Sequence, residues 1–180
     1  LYVTGEESPS QVAMRAQRLQ LPADDVELMA ETDVSTVIAT AEVKQPKVMV
    51  IDSIQVMYMA EMQSAPGSVS QVRESAAMLT RFAKQSGTIL LIVGHVTKDG
   101  ALAGPKVLEH MIDCSMLLEG EADGRFRTLR SSKNRFGGVN ELGIFAMVET
   151  GLTEVKNPSA IFLSQHVASS NGTAVMVVWE

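Results

Sequence analysis

The sequence predicts an α/β fold, a mostly parallel sheet flanked by helices, and three observations carry that prediction. Short, almost wholly apolar runs at residues 48–51 and 88–93 read as strands buried on both faces. Stretches between such runs carry the i, i+3, i+4, i+7 apolar spacing of a helix, so the strands are joined by right-handed crossovers and lie parallel. After Asp113 the helical spacing stops, and strand-like segments follow one another through short links. This later half is expected to be an antiparallel or mixed extension of the same sheet.

In chain order, residues 1–4 form a short buried strand. Ser8 then caps a helix, Pro9 takes its first position, and Gln11 sits where a capping box wants it. Val12, Ala16 and Leu19 recur at helical spacing, with Pro22 beyond the end. Residues 26–30 are a second strand. Asp33 caps a helix whose inner face is Val34, Val37, Ile38 and Ala41. A loop at Ser64-Ala65-Pro66-Gly67-Ser68 precedes a long helix that buries Val69, Val72, Ala76, Leu79 and Phe82 and ends at Gly87. Residues 115–119, 126–131 and 142–148 are the later strands, and residues 173–179 are one more.

Composition sets outer limits. The length of 180 residues fits one domain; 46% hydrophobic residues with only 4% aromatics predict an aliphatic core, with the eleven methionines as adaptable filler. The single cysteine, Cys114, excludes an internal disulfide and a multi-cysteine zinc site, fits a reducing cytoplasm, and is expected to be a small buried residue. No apolar stretch approaches the ~20 residues that span a bilayer, so no membrane partner is expected. The start has neither a basic leader nor an initiator Met, which suggests a fragment. A net charge of −6 argues against a surface basic throughout, yet Arg125, Arg127, Arg130, Lys133 and Arg135 gather five of the fifteen Lys and Arg in one short segment.

Ligands of open parallel sheets bind outside the carboxyl ends of the strands. Three polar clusters fall at such ends: Glu6 with Glu7, Asp52 with Ser53, and His95 with Thr97 and Lys98. Each alone has a bland explanation, such as acidic residues favouring the positive end of a helix. Together at consecutive strand ends they point to one polar site. A strand-end carboxylate such as Asp52 suits a Mg²⁺ ion that keeps most of its waters. Glu6 or Glu7 can orient a water for attack on a phosphoryl group, and Lys133 and Arg135 can balance its charge.

The segments VMVIDS (48–53), LYVTGEES (1–8), GHVTKDGALAGPKVLEHMID (94–113) and KNRFG (133–137) resemble the RadA/Sms family of bacterial DNA-repair proteins, within the RecA-type ATPase superfamily. The resemblance runs to about Trp179. It implies a RecA-like P-loop NTPase core at residues 1–165, and at 166–180 a linker and first strand of a Lon-protease-like domain. It implies ATP and Mg²⁺ as cofactors, with Glu6 polarising the attacking water, Glu7 its close alternative, and Asp52 holding the metal beside Ser53. His95 would sense the γ-phosphate, and Lys133 and Arg135 would reach into the nucleotide site of a neighbouring subunit in a hexameric ring. Segments 62–70 and 97–105 resemble channel loops for single-stranded DNA, with Arg73, Lys98 and Lys106 as phosphate contacts. The implied partners are single-stranded or branched DNA and a RecA-type recombinase.

One departure matters. G-x-x-x-x-G-K-[ST] appears nowhere in the 180 residues, so the first strand and P-loop of such a core are expected to be missing, as is the family's zinc module. The parent protein is expected to be a DNA-dependent ATP hydrolase acting in repair and recombination, and this piece alone to be inactive. Two other readings stay open: a nucleotide-gated interaction module without DNA loops, and an inactive paralogue.

Overall fold

Hydrogen bonding at the helix ends follows the sequence closely. In the computed structural model, which describes residues 1–95, 108–120 and 124–157, Ser8 and Gln11 form the full capping box of α1 (Pro9–Arg18). Asp33 accepts the Ser35 N–H at 2.9 Å to start α2 (Val34–Lys44). Ser68 caps α3 (Val69–Ser86), and Gly87 ends it at φ 76°, a left-handed conformation in which glycine carries no Cβ penalty.

The strands β1 (Tyr2–Thr4), β2 (Leu28–Ala30), β3 (Val48–Asp52) and β4 (Ile89–Ile92) form one sheet in the order β2-β1-β3-β4, parallel throughout. On one face lie Val3, Met49 and Ile51, each fully buried, under Val34, Val37 and Ala41 of α2 and Val72, Ala76, Leu79 and Phe82 of α3. The strands were expected to be buried on both faces, and here the structure differs. Val48, Ile89 and Leu91 on the opposite face are 39%, 61% and 47% exposed, because both long helices pack on the same side. Val69 also stays outside at 54% exposed, in the first turn of α3.

The later strands are β5 (Cys114–Glu119), β6 (Phe126–Asn134), β7 (Leu142–Val148) and β8 (Gly151–Glu154), the last not foreseen from sequence. Among the described residues they do not extend the first sheet. They form their own, in the order β5-β6-β7-β8, with β6-β7 and β7-β8 antiparallel. Antiparallel strands joined by short turns find their partners in the next segment, whereas joining a parallel sheet demands a long crossover. The chain accordingly divides into a unit of residues 1–115 with 133–136 and a unit of residues 116–132 with 137–180. Cys114 is exposed rather than buried, since the alternation of β5 turns it outward. No described helix is long and apolar enough to cross a membrane.

Candidate functional site

Parallel pairing brings the carboxyl ends of β1, β3 and β4 side by side. The ladder continues past the strands, with the Gly5 N–H donating to the Asp52 carbonyl at 3.0 Å and the Ile54 N–H to that of Val93 at 3.0 Å. Three sequence-predicted residues meet there. The Ser53 hydroxyl donates to Glu6 Oε1, and His95 Nε2 lies 3.2 Å from the same oxygen. Gln55 fixes the backbone beneath the imidazole, its Nε2 donating to the His95 carbonyl at 3.1 Å. One carboxylate oxygen thus gathers a hydroxyl and an imidazole from the two neighbouring strand ends.

The turn that carries Glu6 is rigid for identifiable reasons. Thr4, 2% exposed, accepts the Glu7 N–H at 3.1 Å and donates to the Glu7 carbonyl at 2.9 Å. A Cβ on Gly5 would come within 2.4 Å of Val56 Cγ2 and 2.7 Å of Thr32 Cγ2, so only glycine lets the turn approach this closely. Glu7 points elsewhere: it forms an ion pair with Arg15 of α1. The two glutamates that sequence left as alternatives therefore occupy different environments.

Asp52 is engaged by Tyr2, whose hydroxyl donates to Asp52 Oδ2. Burial, then this hydrogen bond, pushes the Tyr2 phenol up to about 12. Tyr2 was not foreseen. The signal lay in strand parity, because residues 2 and 4 of β1 share a face with residues 50 and 52 of β3. Among the described residues no group of three or more His, Cys, Asp or Glu could hold a metal ion. The lone strand-end carboxylate of Asp52 suits Mg²⁺ nonetheless, since that ion is held by one or two carboxylates, water and substrate phosphates rather than by an all-protein cage.

The basic segment is tied down locally. Arg127 donates to the Gly124 and Phe126 carbonyls at 2.8 and 2.9 Å, and Arg130 pairs with Glu119 at 2.9 Å. Lys133 donates to the Glu109 carbonyl, and Arg135 pairs with Asp113 at 2.7 Å. Both belong to the same unit as Glu6. Of the candidate DNA contacts, Arg73 pairs with its neighbour Glu74 at 2.8 Å. Lys98 and Lys106 lie outside the described residues, as do Thr97, the end strand at 173–179 and the proposed second domain at 166–180.

Comparison with known proteins adds a family. The sequence model of the AAA domain family matches residues 1–101. Over all 180 residues the chain is 68% identical to DNA repair protein RadA of Escherichia coli (strain K12), 63% to that of Pseudomonas aeruginosa and 48% to that of Bacillus subtilis (strain 168). It spans about two fifths of the length of these relatives: 39%, 40% and 39%. A solved structure of an ATPase domain has the same fold, with a TM-score of 0.69, 10% identity, and 86% of this chain and 74% of that chain covered.

Proposed function

This chain belongs to the AAA domain family, and from that premise we propose that it forms the hydrolytic part of an ATP-driven DNA-repair motor. One observation carries the reading: the Glu6 carboxylate stands at the junction of three parallel strand ends, with Ser53 and His95 on the same oxygen. A carboxylate held this way orients a water and takes up its proton as the water attacks a phosphoryl group. ATP would supply that group when bound, and Asp52 would hold the Mg²⁺ that neutralises its charge. His95 connects the base to the segment that follows β4, so a change at the phosphate reaches the candidate DNA loop through one side chain.

The 180 residues contain no phosphate-binding loop motif. Turnover is therefore assigned to a longer parent polypeptide, and the chain alone hydrolyses ATP negligibly. In the parent, Lys133 and Arg135 act on the nucleotide of the adjacent subunit of a hexameric ring. Single-stranded or branched DNA is the track, a RecA-type recombinase the associated machinery, and the cytoplasm the compartment. The names of the full-length relatives and the gathering of Glu6, Ser53 and His95 support this reading.

The test is ATP turnover by the parent with and without single-stranded oligonucleotide over a range of salt. Stimulation by DNA that fades as salt rises is expected, because phosphate contacts release counterions. Turnover indifferent to DNA would replace the motor with a nucleotide-gated interaction module.

A further inference from the structure

Residues 108–113 and the KNRFG segment at 133–137 are about twenty residues apart in sequence, yet they are bound to each other at four points. The Arg135 N–H donates to the Asp113 carbonyl at 2.9 Å, and its Nη1 donates to Asp113 Oδ1 at 2.7 Å. Its Nη2 reaches the His110 carbonyl at 3.4 Å, and the Lys133 ammonium donates to the Glu109 carbonyl. The receiving segment is itself fixed. Leu108 is 8% exposed within the core cluster, and Met111 packs against that cluster. The Met111 and Ile112 N–H groups both return to the Leu108 carbonyl, at 2.9 and 3.2 Å.

The Arg135 and Asp113 side chains are 48% and 41% exposed, so their ion pair adds little to stability. Its geometry is more informative than its strength. Asp113 holds Arg135 by main chain and side chain at once, and the two terminal nitrogens of the guanidinium face two different acceptors on one anchored segment. That removes rotation about the end of the side chain. Three of the five N–H donors of a guanidinium then remain for an anion.

We propose that Asp113 is a positioning residue: it presents the Arg135 guanidinium in one fixed orientation to the phosphates of a neighbouring subunit's nucleotide. The inference rests on the trans-acting reading of Arg135 given above. It assigns to Asp113 a role in the rate of the reaction and none in holding nucleotide.

The experiment uses Asp113→Asn, Asp113→Glu, Arg135→Ala and the Asp113→Asn/Arg135→Ala double variant of the parent protein. It measures kcat and KM for ATP in the presence of single-stranded DNA. Arg135→Ala should lose about a thousandfold in kcat, as expected for a finger residue. Asp113→Asn should lose about ten- to hundredfold, the range that misplacement by about an ångström produces, with KM unchanged. Asp113→Glu should recover part of that loss, and the double variant should be no worse than Arg135→Ala alone. Nuclear magnetic resonance of the Arg135 side-chain nitrogens in the 180-residue chain supplies a readout apart from activity: hindered guanidinium rotation that becomes free in Asp113→Asn. Wild-type kcat in Asp113→Asn beside a dead Arg135→Ala would overturn this inference alone. Wild-type kcat in Arg135→Ala would overturn the finger reading and this inference with it.

Discussion

The two sheets of this chain are built to different standards. In the parallel unit, Val3, Met49, Ile51 and Leu79 are wholly buried, and the polar Ser53, Gln71 and Ser75 are buried with them. In β5 to β8 no described residue is buried, and Met116, Leu118, Leu142, Met147 and Leu152 are 45–62% exposed. Packing on that scale fixes side chains in place, which a catalytic carboxylate requires; a sheet of half-exposed hairpins cannot do it alone. The strand end bearing Lys133 and Arg135 gains its rigidity from the parallel unit, through residues 108–113.

The contrast can be broken most directly by truncation. Leu79→Ala in α3 is expected to cost about 2–5 kcal/mol, and Leu152→Ala in β8 less than about 1 kcal/mol. Denaturant unfolding of the chain measures both, and equal losses would erase the distinction. Gly5→Ala probes the site rather than the core. Its Cβ has to push Val56 and Thr32 aside, for an expected loss of about 1–3 kcal/mol. A variant as stable as wild type would mean that the turn beneath Glu6 yields easily.

The smallest effect is one of pH. Folding raises the Tyr2 phenol from 10.0 to about 12, so the stability from this shift is fully present below pH 10 and lost as pH climbs towards 12. Tyr2→Phe should remove that alkaline loss, read from denaturant unfolding between pH 10 and 12. An alkaline loss of the same size in Tyr2→Phe would show that it does not come from Tyr2.

Much of this was legible in the residues. Ser8, Asp33 and Gly87 marked helix ends because capping chemistry is local, and the strand-end positions of Glu6, Asp52 and His95 followed from counting apolar runs. What escaped was non-local. The separation of the second sheet depends on which edge β5 pairs with. Nothing in a run such as residues 48–51 tells which face the helices will cover. Gln71 of α3, a polar residue beside the apolar stripe, is 1% exposed and holds Met59 and Ser64 through three hydrogen bonds. The resemblance put Glu6 first and Glu7 as its alternative, whereas the different surroundings of the two glutamates needed the Arg15 side chain, which pairs with Glu7 from eight residues on.

That preference is the centre of the account, and one paired measurement tests it: ATP turnover by the parent protein carrying Glu6→Gln or Glu7→Gln, with nucleotide binding checked separately. Glu6→Gln should bind ATP and lose about a hundredfold or more in kcat, the scale of general-base catalysis, while Glu7→Gln stays within a few-fold of wild type. A dead Glu7→Gln beside an active Glu6→Gln would contradict it.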